Sequence, residues 1–314
     1  MSSKLIVIAI GGNSLIEDKN HVTVAAQYEA ARKTAHEIAK VVKMGHRVVV
    51  VHGNGPQVGY ILLRAEYARK ILHAVPLDSC VADTQGAIGY QLQRAFDNEF
   101  MALGVDKSVV TLVSQVVVDP NDPSFCDPSK PIGSFMSEED ALYHKKENGW
   151  NVREDAGRGW RRVVPSPRPK EIVELESIEK LLSLGEVVIA LGGGGIPVVK
   201  RADGSYDGVE AVIDKDLASS LLARKLKADL FLISTAVEKV CLNWGKSDMK
   251  ALDSISLDDA KRYMAEGHFA KGSMLEKIEA ITEYLEDGGK LGIITDPEHI
   301  VASLDGKAGT SIHP

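Results

Sequence analysis

Six short runs rich in valine and isoleucine punctuate the sequence: 5–10, 48–51, 109–113, 187–191, 230–234 and 292–295. Each is followed by a turn and then by apolar residues at helical spacing, as in Val58, Ile61, Leu62 and Ala65 after the second run. A short run that is apolar at every position suits a strand buried on both faces. Strands alternating with amphipathic helices predict an α/β protein, with a largely parallel sheet and helices on both sides of it.

Glycines gather where these runs end. Gly11 and Gly12 with Asn13 follow the first, Gly53, Asn54 and Gly55 the second, and Gly192 to Gly195 the fourth. Ligands of such sheets collect at the carboxyl ends of the strands. After Val48–Val51 the chain passes abruptly from stiff β-branched residues to the most permissive one, and Pro56 suits the first helical position. A strand, a glycine turn and a helix N-terminus together bind anions, because the first N–H groups of the helix are unpaired and its dipole is positive there. A tight turn alone also requires glycine, so one such turn says little; three suggest a phosphate-rich ligand.

The rhythm breaks between Pro120 and Pro169, which hold seven of the twelve prolines and two of the three tryptophans. Trp150 and Trp160 would be costly to leave exposed, so this stretch reads as a folded excursion from the main sheet.

Composition narrows the classes. The chain has 314 residues, 44% of them apolar, enough for a large core in one domain or two lobes. Lys and Arg total 37 against 44 Asp and Glu, a net charge of −7. No general basic field draws nucleic acid, and a phosphate site must depend on a few placed cations. Cys80, Cys126 and Cys241 are too few and too scattered for a disulfide framework, which suits a reducing compartment. The first apolar run is too short for a signal peptide, and none approaches the roughly 18 residues needed to span a bilayer. A cytosolic protein without membrane or nucleic-acid partners is expected. The nine histidines show no metal-ligand spacing, so no protein-held metal site is expected, and His52 reads as a core or hydrogen-bonding residue.

Two common phosphate signatures fail. No G-x-G-x-x-G opens a helix, and Gly245-Lys246-Ser247 lacks the leading glycine of a P-loop because Val240 stands there. Lysines at helix starts remain. Asp214 can cap a helix whose apolar face includes Leu217, Leu221 and Leu222, leaving Lys215 and Asp216 in its first turn. A lysine there opposes the helix dipole at about 0.3–1 kcal/mol unless an anion offsets it, although on this segment alone a solvated surface lysine reads equally well. Ser273 and Glu276 have the spacing of a capping box, with Lys271 before it and Lys277 directly after. Lys130 stands between Pro128 and Pro131, a stiff setting for a charge that otherwise reads as a solvated loop lysine. Phosphoryl transfer needs such a set, since the moving group spreads charge over its oxygens and the protein mainly positions and neutralises it.

In these motifs the chain resembles the amino acid kinase family, and within it the carbamate kinase branch. The shared segments are AIGGN (9–13), HGNGPQVG (52–59), QGAIGY (85–90), DPSKPIGSF (127–135), EDAGRGWRRVVPSPRP (154–169), GGGGIPV (192–198), GVEAVIDKDLA (208–218), GHFAKGSM (267–274) and GKAGT (306–310). The resemblance implies a three-layer αβα sandwich around a largely parallel, mixed sheet. It implies one domain over 1–314, with an acceptor lobe (1–207) carrying a protruding subdomain at about 120–169, and a nucleotide lobe (208–314). The implied reaction is reversible transfer between ATP, with Mg²⁺, and carbamate, giving ADP and carbamoyl phosphate, used for ATP formation in arginine breakdown by a homodimer. Lys130, Lys215, Lys277 and Asp216 would be catalytic, the lysines on the moving phosphoryl group and Asp216 orienting them. Gly11, Gly12, Asn13, Gly53, Asn54 and Gly55 would bind the acceptor through backbone donors. Asp214, Lys215, Thr235, Ala236, Lys271, Ser273, Met274 and Lys277 would bind nucleotide.

Two departures from the wider family stand out. Ala9 occupies a position where many members carry lysine, and Lys130 substitutes for it, which favours this branch. Ser234-Thr235-Ala236-Val237 lacks the aspartate of the usual L-T-D-V segment. The alternatives are a kinase of another small carboxylate, with Arg158, Arg161 or Arg162 as the carboxylate's cation, and a non-catalytic nucleotide or metabolite sensor. The three arginines read more readily as subdomain structure, stacked on Trp160 or exposed.

Overall fold

The computed structural model describes residues 3–12, 23–155 and 159–314. Asn13 and Arg158 lie outside the described residues. The central sheet comprises β1 (Leu5–Ile10), β2 (Arg47–His52), β3 (Val109–Thr111), β4 (Val187–Ile189), β5 (Leu230–Ser234), β6 (Ser254–Ser256), β7 (Gly292–Thr295) and β8 (Thr310–His313). Their spatial order is β6-β8-β7-β5-β1-β2-β4-β3. Neighbours run parallel except β7 with β8. All six apolar runs are strands of this sheet, but 109–113 and 187–191 contribute only three residues each. In the second, Leu191 turns into the left-handed region at φ 51° to enter the glycine cluster. β6 and β8 escaped the pattern because each holds one apolar residue, Ile255 and Ile312, both buried.

Strand alternation separates two layers. Leu5, Val7, Ala9, Val49 and Val51 pack on one side against α5 (Leu175–Ser183), α6 (Lys215–Lys225), α7 (Leu257–Ala265) and α8 (Met274–Glu286). Ile6, Ile8, Ile10, Val48 and Val50 pack on the other against α1 (Val24–Lys43), α3 (Leu77–Leu103) and α9 (Ile300–Leu304). Each wholly buried isoleucine of β1 contributes about 1.5–3 kcal/mol. The result is the three-layer αβα sandwich.

A smaller sheet runs Tyr206–Gly208, Ile196–Lys200, Gln115–Val118, Pro169–Ile172. Val118 pairs with Pro169 in it, so the two ends of the proline-rich excursion meet at its base. The excursion itself is an antiparallel sheet of Lys130–Met136, Trp160–Val164 and Val152–Glu154, with α4 (Glu138–Asn148) beside it. A third apolar cluster, including Val58, Leu62, Leu77, Ile132, Val164 and Val212, fixes it to α3 and to α2 (Gly55–Ala68). Trp150 is buried, stacked on His144 at 4.0 Å, and donates Nε1–H to Glu66 Oε1 at 2.9 Å. Arg162 lies 4.6 Å over Trp150 and bonds the same oxygen, so its stacking partner is Trp150 and not Trp160. No helix among the described residues is long and apolar enough to cross a membrane.

Candidate active site

The site begins with the cap of α6. Asp214 Oδ1 accepts from the N–H groups of Asp216 at 2.9 Å and Leu217 at 3.4 Å, which satisfies the first donors of the helix. That cap leaves Lys215 and Asp216 in the first turn, where the sequence put them. Asp216 is buried, and its two oxygens are divided between two lysines: Oδ1 accepts from Lys215 Nζ, Oδ2 from Lys277 Nζ at 2.9 Å. Lys277 arrives from the first turns of α8, which packs against α6.

Lys130, at the start of its strand, reaches the other carboxylate. Its Nζ lies 2.5 Å from Asp214 Oδ2. Three ammonium groups from distant parts of the sequence thus share two neighbouring carboxylates, and one positive charge is left uncompensated.

Burial and charge act in opposite senses here. Burial would push the Asp216 carboxyl up, but the Lys215 and Lys277 ammoniums outweigh it and hold the group well below the ordinary range. Burial likewise opposes ionisation of Asp214, and Lys130 overcomes it. Burial lowers Lys215, and repulsion from Lys277 adds to that against the pull of Asp216. Lys277 is raised, because Asp216 outweighs its burial. A pair of lysines held by one carboxylate is poised to receive an anion, since the incoming charge relieves their mutual repulsion.

The glycine turns differ from the expected arrangement. Gly11 N–H donates to Ser234 O at 3.0 Å and Gly53 N–H to Ile10 O at 3.1 Å, so both extend the parallel ladder by one residue and their donors are already committed. What Gly53 supplies is space. A Cβ there would lie 3.4 Å from Lys215 Cδ, whose side chain crosses the turn. Nothing stands within 4 Å of a Cβ at Gly12. Asn54 is the N-cap of α2 without a side-chain capping bond, and Gly55 adopts φ +30°.

Gly192 to Gly195 are a packing device. Side chains at the first two would come within 2.4 Å of His52 Nε2 and Asn54 Nδ2, and at the third within 2.5 Å of Ile213 O. The cluster wedges between the turn at residues 52–54 and the residue preceding Asp214. Gln85, quoted in a motif but assigned no role, braces it: Oε1 accepts from Ser114 N–H, and Nε2 donates to Ser114 O and Gly192 O. A glutamine among small residues in a helix was the available signal. His52 is buried, with Nδ1 2.9 Å from Gly53 O, and burial lowers its pKa to about 4, so it is neutral.

Thr235 and Ala236 follow β5, with Thr235 N–H donating to Thr295 O at 2.8 Å. Lys271 and Ser273 are exposed before α8, Met274 is half-buried at its start, and Lys271 does not join the lysine cluster. The capping box at Ser273 is corrected. Ser273 has φ −147° and ψ −101° and makes no side-chain cap bond, while Glu276 Oε1 reaches past it to Gly272 N–H at 2.7 Å.

An αβα sandwich whose lysines converge beside the carboxyl ends of parallel strands has the apparatus of an enzyme that transfers phosphoryl groups. The sequence matches the amino acid kinase family over residues 4–296, and the chain belongs to that family. It is 50% identical to the carbamate kinase-like protein YahI of Escherichia coli over 98% of each chain, and 48% identical to the carbamate kinase of Thermococcus kodakarensis over 98% of this chain and 99% of that one. Carbamate kinase from Giardia lamblia bound to AMP-PNP superposes with a TM-score of 0.91 at 43% identity, covering 99% of both chains.

Proposed function

We propose that the chain is a carbamate kinase, interconverting ATP and carbamate with ADP and carbamoyl phosphate. The observation that carries this reading is the meeting of Lys130 with the Lys215–Asp216–Lys277 group. Ala9 is wholly buried in the sheet, so β1 offers no cation, and Lys130 brings one from the excursion. Carbamate oxygen attacks the terminal phosphorus while its bond to the ADP oxygen breaks; Lys215 and Lys277 neutralise charge on the moving group, Asp216 keeps both in register, and Lys130 faces the acceptor side. The acceptor rests on Gly12, Asn13, Asn54 and Gly55, with Gly11 and Gly53 leaving room. Nucleotide lies along Thr235, Ala236, Lys271, Ser273 and Met274. Mg²⁺ bound with the nucleotide supplies further positive charge at the phosphates. Asp214 and Asp216 are both engaged by lysines, a donor set that suits an ion held mainly by phosphate oxygens and water.

The reading divides the chain into an acceptor lobe, 1–207, and a nucleotide lobe, 208–314. A homodimer is supported by the exposed Tyr90 and Val113 beside the edge strand β3, and a cytosolic setting by three free thiols. In this reading the reaction would serve ATP formation in arginine breakdown. A coupled assay of ATP formation from ADP and carbamoyl phosphate, run beside ATP consumption with acetylglutamate, aspartate and UMP, tests it. Turnover is expected with carbamoyl phosphate alone; a preference for another acceptor, or nucleotide binding without turnover, would overturn it.

A further inference from the structure

We propose that Asp214 is the positioning residue of Lys130: its carboxylate joins the start of α6 to the lysine of the excursion and sets where that ammonium stands during transfer. The inference rests on the carbamate kinase reading and assigns Asp214 a part other than nucleotide binding.

Lys130 belongs to a strand that pairs only within the three-stranded antiparallel sheet, where it lies opposite Val164. Among the described residues no ladder joins that sheet to the central one. A lysine side chain on such a support has considerable rotamer freedom to lose before it can act at a fixed point. Two contacts carry it across. Val212 N–H donates to Pro165 O at 3.0 Å, which attaches the loop before α6 to the residue after Val164. Two residues later, Asp214 Oδ2 takes the Lys130 ammonium at 2.5 Å. Lys130, Val164, Pro165, Val212 and Asp214 form a closed circuit of contacts.

The two oxygens of Asp214 do separate work. Oδ1 caps α6 and so places Lys215 and Asp216; Oδ2 holds Lys130. One carboxylate therefore fixes the distance between the excursion's cation and the helix that presents the other two. The Lys130 charge keeps this half-buried carboxyl ionised against its desolvation. Both oxygens are engaged within the protein, Oδ1 by two N–H groups of the helix and Oδ2 by the Lys130 ammonium.

The two roles can be separated because asparagine caps helices as well as aspartate does. In Asp214→Asn the amide oxygen still accepts from Asp216 and Leu217, while the side chain no longer carries a charge for Lys130. Expected are a folded variant with a somewhat lower melting temperature, an unchanged KM for ADP, and a kcat lower by about 10- to 100-fold, the scale of a lost charge-assisted hydrogen bond. The decisive measurement adds Lys130→Ala and the double variant. If Asp214 acts through Lys130, the double variant is no slower than Lys130→Ala alone. Losses that multiply, a raised KM for ADP at constant kcat, or a wild-type rate in Asp214→Asn would each overturn the proposal. Should Asp214→Asn unfold, Asp214→Ser, which caps but is too short to reach Lys130, takes its place; unfolding of both would make Asp214 a structural residue and end the inference. Absence of turnover in the unaltered protein would refute the kinase reading itself, a separate result.

Discussion

Lys215 and Lys277 are held in one way and Lys130 in another. The first two project from the opening turns of adjacent helices in one packed layer, and a single buried aspartate between them fixes both. Lys130 stands on an antiparallel excursion that shares no strand pairing with the central sheet, and its place depends on α2, the third apolar cluster and one carboxylate. A cation on the core is fixed by its own helix, whereas one on an appendage is placed only as well as the appendage is attached. The first kind should fail through charge and the second through geometry.

The largest effect is expected at Asp216. Asp216→Asn leaves two half-buried ammoniums without their shared, buried counter-charge, and removal of one partner from a wholly buried ionic group typically costs about 3–5 kcal/mol, an upper bound here. Thermal unfolding should record it together with near-complete loss of turnover; a variant of ordinary stability would mean that the lysines are compensated elsewhere. The native carboxyl is depressed, so its contribution is fully present above the ordinary carboxylate pKa of about 3.9 and is lost as pH falls below it.

His52 gives an acid phase at higher pH. The unfolded chain takes up a proton below about 6.5, which the folded chain, with its imidazole near 4, refuses. Stability is therefore complete above about 6.5 and declines by about 3 kcal/mol as pH falls towards 4. Unfolding measured across that window should flatten in His52→Gln, and identical slopes in the two proteins would remove His52 from the account.

Lys215→Ala should reduce turnover by about 10²-fold or more, the scale for losing one preorganised charge-stabilising group. A near-normal rate would place phosphoryl neutralisation elsewhere. On the appendage side, Gly59→Ala tests attachment. A Cβ at Gly59 would sit 2.2 Å from Gly133 Cα, so α2 and the Lys130 strand must part. Overpacking of this kind costs about 1–3 kcal/mol, and the KM for ADP should hold while kcat falls. An alanine variant with unchanged melting and rate would show that the two backbones are not in close contact.

The same contrast explains what could be read from sequence. Buried strands such as Leu5–Ile10 and Leu230–Ser234 declare themselves by continuous apolar character, and Asp214-Lys215-Asp216 declares a capped helix with a misplaced lysine. These are local signals. The engagement of Lys130 by Asp214 spans 84 positions and leaves no trace in either segment. β6 and β8 were silent because one apolar residue in a short strand makes no period. The four-glycine run was legible as a turn, but its neighbours His52, Asn54 and Ile213 come from two other, distant parts of the chain, so its packing role was not. The Ser273 box had the right spacing and formed differently, because Gly272, at φ +73°, turns the preceding N–H into reach of Glu276.

The antiparallel pairing of β7 and β8 has a consequence for how the molecule is made. Among the described residues β6 pairs only with β8, and Thr310 Oγ1 also accepts from Val240 N–H and donates to Leu252 O. On a ribosome, residues 254–256 emerge long before residues 310–313 exist to receive them. That flank of the sheet can close only once Thr310–His313 is available to slide in beside Gly292–Thr295, so the corner around Val240 and Leu252 depends on a segment made well after it.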